Sequence, residues 1–206
     1  MGKRIAIYLG GLGITSLGMA LIILPMVGAG PWDAVAVGLT NHFGFTVGMW
    51  SIVAQTMVVL FTGWIERKRP SFGSFVTIVI RSWMLDAWIY LVLKDVDFTS
   101  SWEMQWISLF MGVTLAGVGM GIYLEARFPR APIDGLMIAL HNRFGWTLTV
   151  SRTVIEFCAA FLGFFLGGPI GFGTIVVVFL LGKVIQVSNQ QTKKVMSRRR
   201  VLVPKP

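Results

Sequence analysis

Long apolar stretches constrain the fold of this chain more than any other feature of its sequence. Six of them lie at residues 5–24, 47–65, 72–93, 104–124, 148–166 and 172–187. An apolar helix needs about 20 residues to cross a hydrocarbon core of about 30 Å. A chain of 206 residues has too little other material to enclose six such stretches in a soluble core. They predict an all-α membrane protein with six transmembrane helices.

The composition excludes several other classes of protein. Hydrophobic residues make up 55% of the chain and charged residues only 13%, against about a quarter charged in soluble domains. This balance excludes an ordinary soluble enzyme and a disordered chain. Cys158 is the only cysteine, so the chain cannot form an internal disulfide.

Two shorter apolar segments, residues 31–44 and 132–145, are too short to cross the membrane. About 12 helical residues span roughly 18 Å. Each segment begins with a proline, which suits a first helical turn, has an aspartate two residues later, and ends at a glycine. The residues concerned are Pro31 and Pro132, Asp33 and Asp134, and Gly44 and Gly145. We predict that both segments are re-entrant half-helices.

The two short segments are also copies of each other. Residues 31–46 align with residues 132–147 at an offset of 101, and seven of the 16 positions are identical, including Asn41 with Asn142. We infer repeat 1 over residues 1–94 and repeat 2 over residues 103–188. Each repeat holds three spans, an odd number, so the second copy lies upside down. Such inverted-topology repeats are common in transporters.

Positive charge is distributed as in a membrane protein. The net charge is +9, and a basic tail occupies residues 189–206. With six spans, Lys94 is the only basic residue in a loop or tail on the outer side, which predicts that both termini are cytoplasmic. Membrane lipids are the expected partners of the basic tail. Nucleic acid is not expected, because no binding module is recognisable.

The stretch Gly-Ala-Gly-Pro-Trp-Asp-Ala at residues 28–34, in a chain of this size and pattern, resembles the YczE/YyaS/YitT family of bacterial integral membrane proteins. The resemblance covers nearly the whole chain, and the Pro-Trp-Asp segment is its most specific part. The second copy departs from it, with Ile133 in place of the tryptophan. The resemblance implies a location in the bacterial plasma membrane and implies no particular substrate.

Several polar residues inside the apolar segments are candidates for a substrate or ion site, because such residues are costly in hydrocarbon. They are Asp33, Asp134, Gln55, Glu156, Arg81 and Asp86. The aspartates either cap the half-helices or bind a cation or proton, and the two roles are compatible. Gln55 and Glu156 are repeat mates that line a site or bond neighbouring helices. Glu156 also lies four residues from Arg152, the spacing of an intrahelical ion pair.

Other residues have structural interpretations. Asn41, Asn142 and the two glycines are expected to form the turns after the half-helices. Gly117 and Gly121 offer a close helix contact, either within the chain or in a homodimer. No catalytic residue, metal site or cofactor is predicted, because nucleotide-binding and zinc-hydrolase motifs are absent and two histidines supply a zinc site poorly.

These features favour a transporter or channel for a small solute or ion, with its site between the two repeats. Two alternatives stay open. One is a non-transporting accessory or assembly partner in the membrane. The other is a membrane-embedded aspartyl hydrolase, which would need Asp33 and Asp134 to converge.

Overall fold

The computed structural model describes residues 2–67, 72–126 and 132–201, and every regular element in these ranges is helical. The side chains of Lys3, Phe72, Asp134 and Thr149, and those after residue 195, lie outside the description. The helices are α1 (Gly2–Ile23), α2 (Pro31–Phe43), α3 (Val47–Glu66), α4 (Phe72–Ala87), α5 (Trp102–Leu124), α6 (Pro132–Phe144), α7 (Leu148–Phe165) and α8 (Phe172–Val201). A π-helical turn, Trp88–Val92, continues α4.

Five helices in the described ranges are long and apolar enough to cross a membrane: α1, α3, α4 with its π-helical turn, α5 and α8. They match five of the six predicted spans closely. The sixth predicted span, residues 148–166, forms α7, a helix of 18 residues that contains Arg152 and Glu156. Its passage across the membrane stays a prediction. Helix α8 also continues beyond residue 188 into the basic tail, because no glycine or proline interrupts the chain there.

The two short segments form helices α2 and α6, each 13 residues long, and their re-entrant placement in the membrane stays a prediction. Each begins at its proline and stops at a glycine with positive φ, 73° at Gly44 and 71° at Gly145. A left-handed conformation is much easier for glycine than for residues with a Cβ. The hydroxyls of Thr46 and Thr147 then accept hydrogen bonds at the starts of α3 and α7. The local chemistry of the repeat thus sets the same boundaries twice.

Helices α1 and α5 form the tightest pair, and small residues make their close approach possible. A Cβ on Gly18 would lie 2.2 Å from the backbone nitrogen of Ala116, and one on Gly119 would lie 2.5 Å from that of Thr15. The other face of α5 packs on α8, where Cβ atoms on Gly117 and Gly121 would meet Val184 and Ser188. The Gly117–Gly121 face is therefore occupied within the chain.

The short helices pack across the two halves of the sequence. Helix α2 packs on α7, and α6 packs on α3. Likewise, α1 packs on α4 in the first half, and the corresponding helices of the second half, α5 and α8, pack on each other. This arrangement leaves a space at the centre of the molecule, and all eight helices contribute to its walls.

Candidate functional site

A cavity of about 750 Å³ lies where the helices of the two halves meet. Most of its lining is apolar, with residues such as Met19, Ile78 and Val177. Four of the six predicted site residues also line it: Asp33, Gln55, Arg81 and Glu156. A large apolar cavity with a few convergent polar groups is the usual form of a small-molecule site.

Asp33 reaches the cavity from the first turn of α2. Pro31 starts that helix, and Gly30 before it leaves room for the carboxylate: a Cβ on Gly30 would lie 2.9 Å from Asp33 Oδ2. Within the described ranges the carboxylate accepts no hydrogen bond, so it does not cap α2 in the way the sequence suggested. The nearby charges that act on it are those of Arg81 and Glu156.

Arg81 carries the opposite charge into the cavity from α4. Its Nη1 lies 3.3 Å from Met19 Sδ, and its backbone carbonyl accepts a hydrogen bond from Ser16 at 3.0 Å. These contacts tether α4 to α1 and fix the guanidinium at the wall. Among the described residues it forms no ion pair with Asp33, so both charges remain available to a ligand.

Two further polar groups at the cavity have no partner in the described part of the chain. Gln55 on α3 is 7% exposed, and its amide makes no hydrogen bond there. The indole Nε1 of Trp32 is fully buried and also lacks an acceptor. Buried polar groups in proteins nearly always have a partner, which is often water or a ligand. The Gln55 amide lines the cavity and is therefore open to a molecule there, whereas the indole nitrogen of Trp32 is enclosed by protein.

Glu156 differs from Asp33 because it is paired. Its Oε1 lies 2.8 Å from Arg152 Nη2, and the two residues are one turn apart on α7. This is the intrahelical ion pair that their spacing predicts. Arg152 is more exposed than Glu156, as expected for a long side chain that reaches towards the membrane surface. Asp33, Arg81 and this pair together carry no net formal charge.

Pro31 and Pro132 also line the cavity, whereas Asp86, Asn41 and Asn142 lie outside it. Asp86 lies on α4 near the start of α3, where its Oδ1 accepts a hydrogen bond from the Gly48 backbone nitrogen at 2.7 Å. Its Oδ2 accepts a hydrogen bond from Thr46. Asn41 and Asn142 are exposed at the ends of α2 and α6. The side chain of Asp134 is outside the described residues, so its approach to Asp33 stays a prediction.

Sequence reasoning missed Trp32 as a site residue. Trp32 belongs to the Pro-Trp-Asp segment, and this segment is the sequence signal that could have identified it.

In the described ranges no three His, Cys, Asp or Glu side chains converge in a way that could hold a metal ion.

Comparisons with known proteins find one matching family and several uncharacterised relatives. The family of unknown function DUF6198 matches residues 2–190. The uncharacterised membrane protein YczE of Bacillus subtilis is 33% identical over 196 residues, which cover 94% of this chain and 89% of the relative. The uncharacterised protein YyaS of the same species is 32% identical over 177 residues, covering 86% and 88%. An uncharacterised protein of Haemophilus influenzae is 30% identical over 185 residues, covering 89% and 82%. No solved structure matches the chain.

Proposed function

The chain belongs to the DUF6198 family of unknown function, and we propose that it is a multi-pass membrane protein that transports or conducts a small solute or ion. The observation that carries the proposal is the central cavity, where within the described ranges Asp33 and Arg81 form no ion pair and Gln55 makes no hydrogen bond. Ionisable groups inside membrane proteins are expensive and usually mark pathways for substrates or ions. An unpaired set of this kind is hard to explain by structural needs alone.

The packing of the helices supports a site between two inverted repeats. The half-helix of each sequence half packs on a long helix of the other half, α2 on α7 and α6 on α3. Transporters with inverted repeats place short or broken helices around a central site in this way. The two halves can then rock against each other around the cavity, which would expose the guest to either side in turn.

The proposal includes a location and an orientation. We place the protein in the bacterial plasma membrane with both termini in the cytoplasm, because the basic residues then concentrate on the inner side. We also propose that it catalyses no chemical conversion. The guest passes unchanged, and the polar groups of the cavity only bind it.

A ligand screen with matched variants tests the site. The purified protein in detergent is heated with a panel of sodium, potassium, amino acids, carboxylic acids and amines at several pH values. A ligand of the site raises the melting temperature of the wild type and leaves that of Asp33→Asn unchanged. Asp95→Asn, in the exposed loop after α4, is the control and responds like the wild type. Asp134→Asn tests whether the corresponding aspartate of the second repeat contributes to binding.

Transport itself is then measured as uptake of the identified ligand into liposomes. Uptake by the wild type that falls at least about tenfold in Asp33→Asn supports the proposal. The opposite result is a protein that responds to no compound and copurifies with a second protein in a fixed ratio. That result would favour an accessory or assembly partner.

A further inference from the structure

The central cavity has a side opening between α7 and α8. Residues of both helices line it, and several of these are also exposed, among them Phe157 (68%), Ile175 (55%) and Phe179 (69%). Large apolar side chains that line a cavity and are this exposed border an opening in its wall. These three residues form the rim of the opening.

Packing explains the opening. Helices α3 and α4 of the first half pack against each other, whereas α7 and α8, the corresponding pair of the second half, make at most slight contact within the described ranges. Helix α8 packs on α5 instead, and α7 on α2 and α6. The cavity is therefore closed by a helix pair on one side of the molecule and open on the other.

The surface around the opening is suited to hydrocarbon. Phe161, Phe164 and Phe165 on α7 are all more than half exposed, as is Ile175 on α8. Helix α8 is itself one of the candidate spans, and little of it is buried within the protein. Exposed aromatic and aliphatic residues in such number belong to a surface that faces lipid. The opening consequently faces the membrane interior, and a guest that uses it comes from the lipid.

The charges inside the cavity indicate the polar end of that guest. Glu156 already has Arg152 as its partner, which leaves one carboxylate, Asp33, and one guanidinium, Arg81, without an ion pair in the described ranges. A guest with one charge can pair directly with only one of these two groups, and the other keeps no direct partner in an apolar cavity. A headgroup with both charges satisfies both, and the Gln55 amide can add a donor and an acceptor.

We infer that the cavity binds a single-chain zwitterionic amphiphile, which enters from the lipid between α7 and α8. Its headgroup lies between Asp33 and Arg81, and its apolar chain lies along the rim. The inference rests on the proposed function, because it assigns a substrate class and an entry route to the same site.

Dodecylphosphocholine is the probe, and phosphocholine is the same headgroup without the chain. The full-length protein is placed in nanodiscs, and its melting temperature is measured as each compound is added. Dodecylphosphocholine, kept at a few per cent of the lipid, is expected to stabilise the protein. Phosphocholine is not, because it lacks the part that partitions into lipid. Dodecyltrimethylammonium and dodecyl sulfate carry one charge each and are expected to bind at least about tenfold more weakly.

Gly182→Leu is designed to narrow the cavity at its opening and provides the decisive variant. Gly182 lines the cavity from α8, and a Cβ there meets nothing within 4 Å, so a leucine is accommodated without a backbone clash. Gly10→Leu on α1 is the matched control, because Gly10 is equally unobstructed and does not line the cavity. The apparent Kd for dodecylphosphocholine is expected to rise about tenfold or more in Gly182→Leu and to stay unchanged in Gly10→Leu. General effects on the bilayer would alter both variants equally.

The outcomes separate this inference from the proposed function. Equal stabilisation by phosphocholine would overturn entry from the lipid and leave the site intact. Equal binding of either singly charged amphiphile would overturn the zwitterionic headgroup. If no amphiphile stabilises the protein while a compound of the water-soluble panel does so through Asp33, the inference is wrong and the proposed function stands. If neither set has any effect, both are wrong.

Discussion

At the scale of single residues, Asp33 on α2 and Asp86 on α4 have opposite surroundings. Asp33 faces the cavity without a hydrogen bond in the described ranges, whereas Asp86 accepts one from the Gly48 backbone and one from the Thr46 hydroxyl. An acid with two donors serves structure, because it satisfies free N–H groups at a helix start. An acid without donors is free to bind a guest.

Replacing Asp86 should therefore reduce stability and leave ligand binding intact. Hydrogen bonds to a charged group contribute about 1.5–3 kcal/mol each, so the loss of both in Asp86→Ala is expected to lower the free energy of unfolding by about 3–6 kcal/mol. Asp86→Asn keeps an oxygen acceptor for the Gly48 nitrogen and should lose less. Denaturant or thermal unfolding of the purified variants measures these losses of stability. A normally stable Asp86→Ala that no longer responds to ligand would instead make Asp86 a binding residue.

At the scale of helices, glycine decides how closely α1 and α5 approach. Gly18 faces Gly112 and Ala116, and there is no space for a Cβ between the two backbones. Such contacts replace the hydrophobic driving force that is absent between helices in lipid, because closer backbones gain more van der Waals contact. The same helix α5 uses Gly117 and Gly121 for α8. It is the central packing element of the fold.

Gly18→Ala should consequently separate α1 from α5. Its Cβ would lie 2.2 Å from a backbone nitrogen that cannot move aside, and overpacking of this kind costs about 1–3 kcal/mol or more. Gly10→Ala, at an open position of the same helix, is the control and should be neutral or up to about 1 kcal/mol more stable. Melting temperatures of the two variants in one detergent provide the comparison. Equal melting temperatures would contradict this account of the α1–α5 contact.

At the scale of the whole molecule, the two halves have similar helices and unequal packing. The short helices pack on equivalent partners in the two halves. However, α3 packs against α4, whereas α7 and α8 are separated by the opening. Transporters alternate between unequal arrangements of equivalent halves. A molecule captured with one side open is consistent with the transport proposal, and the reverse arrangement would open between α3 and α4.

The proposed topology makes a prediction about accessibility in intact cells. Cys158 is the only cysteine, so Cys158→Ser gives a background in which a single new cysteine can be labelled. Ser100→Cys, in the exposed loop between α4 and α5, should react with a membrane-impermeant maleimide added to intact cells. Gln191→Cys, exposed on α8, should react only after the membrane is permeabilised. Labelling of both positions, or only of Gln191→Cys, in intact cells would refute the orientation.

The sequence by itself determined the helical elements. Apolar stretches, prolines at helix starts and glycines at helix ends act over a few residues, so the bounds of α2, α3, α6 and α7 could be predicted closely. It also selected four residues of the cavity, because polar groups in apolar stretches stand out against their neighbours. These signals are local, and they need no knowledge of which helices meet.

Only the tertiary structure decided which polar groups are free. Asp33 and Asp86 look alike in sequence, and the difference between them comes from the hydrogen-bond donors that α3 brings to Asp86. The opening between α7 and α8 likewise depends on contacts between residues far apart in the chain. Periodicity and composition describe one helix at a time, so they cannot show where two helices leave a gap.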